Sequence, residues 1–302
     1  MTYARGADIE ALVPDPAGEH WHDGGERPLI FSPAPVDPEM LAGAVRAAEA
    51  ADYAVVVVGD TIALTGKTRS TATLDLQGAQ IALLDALVAT ETPVIVVLVQ
   101  GKPSALKAAA IIEAFNPGMR GGQAVAELVL GLIEPSGRLP ISVPRHVGQQ
   151  PVFYNQVRGQ HGDRYADLPQ DPQFVFGEGL SYTSVEYTDL HVLDEVVAHD
   201  GVVRAEVTLT NTGTRPSLET VQVYVSDLVT GATWADKELK AWRQVQVAAG
   251  ETVTVTLEVP AASCSLVTSD GRRIVEPGQF DLLVGRSSRA TDLLRAGFTI
   301  TG

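Results

Sequence analysis

Among 302 residues there is one cysteine, Cys264, so the chain forms no intrachain disulfide and offers no thiolate cluster to a metal. Basic residues are scarce: 22 Lys and Arg stand against 37 Asp and Glu, a formal net charge of −15 at pH 7. Such a surface repels phosphate, which argues against nucleic acid and anionic membrane as partners. It is compatible with neutral ligands such as sugars without pointing to them. No apolar segment approaches the roughly 20 residues that span a bilayer. The first residues lack the basic start and apolar run of a secretory signal, so the expectation is a cytoplasmic, reduced setting. What remains is a chain that is 45% apolar and long enough for two domains with a core each.

The stretch that organises the chain is 54–76. It opens with Ala54-Val55-Val56-Val57-Val58, a run dominated by β-branched residues without charge or proline. Gly59 ends the run, and a long polar stretch follows before the next helical pattern. A parallel strand running into a long loop at its carboxyl end is where open α/β sheets place ligand sites. Around it, Asp37-Pro38 opens a helix whose Met40, Leu41, Val45 and Ala48 share a face. Helices are expected at 77–89 and 121–132, strands at 93–99 and 111–115, and a short helix capped by Ser104 through 110. This alternation predicts βαβ crossovers and an α/β fold, a mostly parallel sheet sandwiched by helices.

The flanking stretches read differently. Residues 1–36, rich in Pro, Gly and charge, read as a linker or arm, and 37–146 as the α/β domain. His20 and His22 form an H-x-H pair with no third ligand nearby, and the turn at 116–122 lacks the Lys-Ser/Thr of a phosphate loop. No cofactor is expected. The connection 147–184 is too long for an ordinary loop, so it is functional, packed on a partner or mobile. It holds a polar cluster of His161, Asp163 and Arg164. In 185–302, near-period-two strands at 202–209, 220–225, 252–259 and 280–284, with turns at Asn211-Thr212-Gly213, Ala249-Gly250-Glu251 and Glu276-Pro277-Gly278, predict an all-β antiparallel sandwich.

Several motifs carry a family likeness. Thr65-Gly66-Lys67-Thr68-Arg69-Ser70-Thr71-Ala72-Thr73-Leu74-Asp75-Leu76 resembles S-G-E-G-R-S-R-T-D-L-D-L of the second domain of glycoside hydrolase family 3, the β-glucosidase group. Ile112-Glu113-Ala114-Phe115-Asn116-Pro117-Gly118 is similar to its L-E-A-W-F-P-G. Pro135-Ser136-Gly137-Arg138-Leu139-Pro140-Ile141-Ser142-Val143-Pro144-Arg145 is similar to P-S-G-K-L-P-V-S-F-P-R. Phe176-Gly177-Glu178-Gly179-Leu180-Ser181-Tyr182-Thr183 resembles F-G-Y-G-L-S-Y-T. Lys237-Glu238-Leu239-Lys240-Ala241-Trp242 and Glu276-Pro277-Gly278-Gln279-Phe280 resemble the fibronectin type III-like domain in which the family often ends. Tyr3-Ala4-Arg5-Gly6-Ala7-Asp8-Ile9 resembles the segment leading out of the family's TIM barrel, which implies a chain that starts where a barrel should have ended.

In that family the loop reaches over the barrel, and its central Glu is the catalytic acid/base. Here Lys67 stands at that position, Thr71 replaces the family's Arg and Thr73 its Asp. Retaining glycosidases need two carboxyl groups about 5–5.5 Å apart, and the barrel that carries the nucleophilic Asp lies outside the likeness. The resemblance implies a subunit or C-terminal half of a β-glucosidase-like hydrolase. It would complete the active site of a TIM-barrel partner on a β-glycoside substrate and be inactive, or nearly so, alone. Lys67 occupies the catalytic position, and Asp60, Arg69 and Ser70 are the candidate substrate contacts. Two alternatives stand beside this: a non-catalytic carbohydrate-binding or scaffolding protein, and a piece of a longer gene. A large exposed apolar patch would favour the split or partial chain, a polar surface the stand-alone protein.

Overall fold

The computed structural model describes residues 1–66, 71–104, 106, 108–159 and 165–302. The chain divides into two units, Met1–Ala126 and Glu127–Gly302.

In the first unit, β1 (Glu10–Val13) and β2 (Ile30–Pro33) pair antiparallel within the stretch expected to be a linker or arm. Helix α1 (Pro38–Glu49) begins where its cap dictates: the Asp37 carboxylate accepts from the amides of Glu39 and Met40, with Pro38 in the first turn. Strands β3 (Ala54–Gly59), β4 (Val94–Val99) and β5 (Ala110–Glu113) form a parallel sheet in that order. Helix α2 (Gln80–Val88) makes the crossover from β3 to β4, and α3 (Gly121–Val129) follows β5.

Because strand side chains alternate, the sheet divides its valines between two faces. Val56, Val58, Val94, Val96 and Leu98 pack with Ala44 and Ala48 of α1 and with Leu83, Leu84 and Leu87 of α2. Each large side chain buried there contributes about 1.5–3 kcal/mol. On the other face of β3, Val55 and Val57 remain 47% and 65% exposed, next to Tyr53 at 65%. The short helix expected from Ser104 to 110 is not found: the described residues of that stretch are not helical, and Ala110 already opens β5. So short a segment closes too few i→i−4 bonds to offset nucleation, and Leu106 is instead held in the core.

The second unit is a sandwich. Its strands are β6 (Val185–Val192), β7 (Val196–Ala198), β8 (Val202–Asn211), β9 (Ser217–Asp227), β10 (Glu238–Val247), β11 (Thr252–Pro260), β12 (Leu266–Val267), β13 (Arg273–Ile274), β14 (Gly278–Gly285) and β15 (Leu293–Thr301). One sheet runs β10-β9-β14-β15-β7, the other β11-β8-β6, and β12 pairs with β13. Pairing is antiparallel except where β7 lies parallel to β15. Val203, Ala205, Val207 and Leu209 alternate inward from β8 to meet Val221, Val223, Leu282 and Val284. Cys264 lies in this core, where burial pushes its thiol up to about 11 and leaves it a packing residue.

The long connection owes its length to packing. Its Tyr154 ring stacks on Phe176 at 4.1 Å and meets Tyr224 edge-on at 5.8 Å, and the Tyr154 hydroxyl accepts from the Leu239 amide at 3.1 Å. No helix among the described residues is long and apolar enough to cross a membrane.

Candidate functional site

The carboxyl ends of β3, β4 and β5 meet at one edge of the parallel sheet, with Gly59 opposite Val99 and Leu98 opposite Glu113. Gly59 turns the chain out of the sheet at φ 152°, and a Cβ there would lie 1.9 Å from the Val99 carbonyl oxygen. Only glycine fits. The buried Gln80 side chain braces the same residue, accepting from Gly59 N at 2.8 Å and donating to its carbonyl at 2.9 Å and to the Gln77 carbonyl at 2.9 Å. The base of the long loop is therefore rigid, a requirement for any loop that presents chemistry.

Three charged side chains gather at this edge. Asp60 follows Gly59, and its side chain is 3% exposed. Its Oδ1 finds no hydrogen-bond donor among the described residues, and the Lys102 ammonium lies 3.8 Å away. Lys102 also donates to the hydroxyl of Thr71, which itself donates to the Thr73 carbonyl at 2.8 Å. Glu113, at the end of β5, accepts from Gln100 Nε2 at 3.0 Å and from the Phe115 amide at 3.2 Å. Gln100 is 1% exposed and accepts in turn from the Ser104 hydroxyl at 3.0 Å. Burial pushes the Glu113 carboxyl above the usual range, the Asp60 charge adds to this, and the bonds from Gln100 and Phe115 oppose it.

Of the four residues singled out from the sequence, Lys67, Arg69 and Ser70 lie outside the described residues, as do His161, Asp163 and Arg164. Asp60 follows the end of β3, and its carboxylate is buried against Lys102. Lys102 and Glu113 escaped the sequence reading. Their signal was present: a charged residue at, or just beyond, the carboxyl end of an otherwise apolar parallel strand. On the returning limb, Asp75 N donates to the Thr73 hydroxyl at 3.0 Å, and Gly78, at φ 67°, sits where a Cβ would meet the Ile9 carbonyl. A cavity of about 530 Å³ in the second unit, lined by Arg158, Asp227 and Trp234 among others, is differently made. Its guanidinium is already engaged by the Leu228 and Asp227 carbonyls and the Ser226 hydroxyl.

Comparison with known proteins adds to this geometry. The model of the Glycosyl hydrolase family 3 C-terminal domain matches residues 6–182, and that of the Fibronectin type III-like domain residues 219–288. A β-xylosidase of Formosa agariphila is 36% identical over 265 residues, which is 85% of this chain and 37% of that protein. A periplasmic β-glucosidase of Salmonella typhimurium is 33% identical over 272 residues, 84% of this chain and 36% of the relative. Among solved structures, a β-glucosidase involved in saponin metabolism from intestinal bacteria superposes with a TM-score of 0.96 at 50% identity, covering 99% of this chain and 43% of that one. The β-glucosidase of Listeria innocua gives a TM-score of 0.82 at 29% identity, covering 89% and 39%. This chain thus spans well under half of each relative, and in those longer proteins the matched region is the C-terminal part.

Proposed function

From a chain that belongs to glycosyl hydrolase family 3, as its C-terminal domain joined to a fibronectin type III-like domain, we propose that it completes the active site of a TIM-barrel glycosidase partner. The observation that carries this is coverage: the chain matches 84–85% of itself to the C-terminal part of relatives named β-xylosidase and β-glucosidase, and only 36–37% of their length. The uncovered Val55 and Val57 fit a chain made to pack against more polypeptide, since parallel sheets are normally covered on both faces.

In this reading the partner brings the nucleophilic carboxylate, and this chain lends the loop that closes over the bound β-glycoside. Lys67 takes the family's acid/base position in the loop sequence, and Asp60, Arg69 and Ser70 are the candidate contacts to the substrate. A lysine donates at neutral pH only if desolvation lowers its pKa, so alone the chain is inactive or nearly so. The boundaries 1–36, 37–146, 147–184 and 185–302 belong to the same reading. So does a cytoplasmic setting, which fits the lone buried thiol of Cys264 and is checked by cell fractionation.

Co-expression with a family barrel, pull-down, and assay on aryl β-glucosides and β-xylosides tests the proposal. Activity in the pair that neither part has alone is the expected result. Hydrolysis by the purified chain alone at enzymatic rates would overturn it. The lysine at the acid/base position favours one other reading, a carbohydrate-binding or scaffolding protein without catalysis. A chain that binds β-glycosides by calorimetry yet captures no barrel would establish that one instead.

A further inference from the structure

We propose that Lys102 is the positioning residue of the 59–76 loop, holding its outgoing and returning limbs at one point. Lys102 belongs to neither limb; it stands in the turn that leaves β4. Its ammonium lies 3.8 Å from Asp60 Oδ1 on the outgoing limb and donates to the Thr71 hydroxyl on the returning limb. The limbs reach one another through a third element that the sheet itself fixes, because β4 is the central strand.

The electrostatics favour this clamp. The Asp60 side chain is 3% exposed and its Oδ1 has no hydrogen-bond donor among the described residues, of which Lys102 supplies the positive charge that offsets its burial. The Glu113 carboxylate adds a second negative charge to the surroundings, since Asp60 and Glu113 repel. Removing the ammonium therefore leaves a buried carboxylate without its counter-charge beside another carboxylate, and opening the loop base to water becomes the relief. Thr71 keeps its bond to the Thr73 carbonyl in either case, so the loss is specific to the crossing between limbs. That the clamp serves glycoside hydrolysis rests on the function proposed above; the clamp itself does not.

The test uses the full chain without a partner. Trypsin cuts after Lys67 and Arg69, both inside the loop, and the Lys102-Pro103 bond is a poor tryptic site in any case. Nicking at the loop is read by mass spectrometry against nicking at Arg46 and Arg295. In Lys102→Met, loop nicking should rise about tenfold relative to those reference sites, as expected for a local opening. Lys102→Arg, which keeps charge and donor, should restore the wild-type rate. Thr71→Val, which removes the hydroxyl and with it both the Lys102 contact and the bond to the Thr73 carbonyl, should raise it a few-fold and serves if Lys102→Met fails to fold. An unchanged loop rate in Lys102→Met or in Thr71→Val, equal acceleration at all sites, or acceleration that Lys102→Arg does not reverse would overturn the clamp. None of these readouts involves activity, so a failure of the split-enzyme reading leaves them intact.

Discussion

Gly59 and Glu113 show how much of the site is decided by single residues. A side chain at Gly59 meets a backbone carbonyl 1.9 Å away in a left-handed conformation, and neither strand can yield without breaking the sheet. Gly59→Ala should cost more than about 2 kcal/mol, read from the urea unfolding midpoint; an unchanged midpoint would refute the close approach. Glu113 titrates above the usual carboxylate range because burial penalises its charged form. A carboxyl with a raised folded pKa holds its proton more tightly when folded. Its contribution is therefore present below about pH 4.3 and is lost as pH rises through the folded value. Glu113→Gln should flatten the fall in unfolding free energy that the wild type shows over that window, in urea titrations stepped from pH 4 to 7. Equal slopes would place the carboxyl in water.

At the scale of elements, the Asn211-Thr212-Gly213 turn of the sandwich proves to be a polar cap on buried backbone. Asn211, fully buried at the end of β8, accepts from the Thr183 hydroxyl at 2.7 Å and the Gly213 amide at 3.1 Å, and donates to the Arg215 and Val247 carbonyls at 2.7 and 3.0 Å. The next glycine is required too, since a Cβ at Gly213 would lie 2.1 Å from the Thr183 hydroxyl. Asn211→Ala strands those partners inside the protein, and each buried polar group left unpaired costs about 1–3 kcal/mol. A thermal midpoint lower by several degrees is expected, while loss no larger than at an exposed asparagine would contradict the bonding pattern. Glu276 caps exposed backbone in its own motif, accepting from the Gly231 amide at 2.7 Å. The helical cap at Asp37 was legible because its signal is local; the strand β10 was not, because a bulge between Leu239 and Ala241 breaks its alternation.

For the molecule as a whole, the uncovered face of β3 decides between a finished and an unfinished assembly. Val57 is 65% exposed, so Val57→Lys should leave the isolated chain's stability within about 0.5 kcal/mol of wild type. If a partner covers that face, the same substitution should cut capture of a barrel protein sharply, because an ammonium would be desolvated without a counter-charge. Pull-down at matched expression gives the reading, and undiminished capture would move the interface elsewhere on the chain.

Local pattern by itself determined the order of classes, an α/β region followed by a sandwich, because apolar periodicity and turn residues act over a few neighbours. The motifs at 65–76, 112–118 and 135–145 were enough to suggest the family, and the family comparison agrees. Tertiary structure alone decided what the carboxyl edge holds. Gln80 reaches back to Gly59, Gln100 bonds Glu113, and Lys102 joins Asp60 to Thr71, each across a break between elements. Those meetings depend on the register that sets Gly59 beside Val99 and Leu98 beside Glu113. Register is a property of paired strands, and no single stretch of sequence contains it.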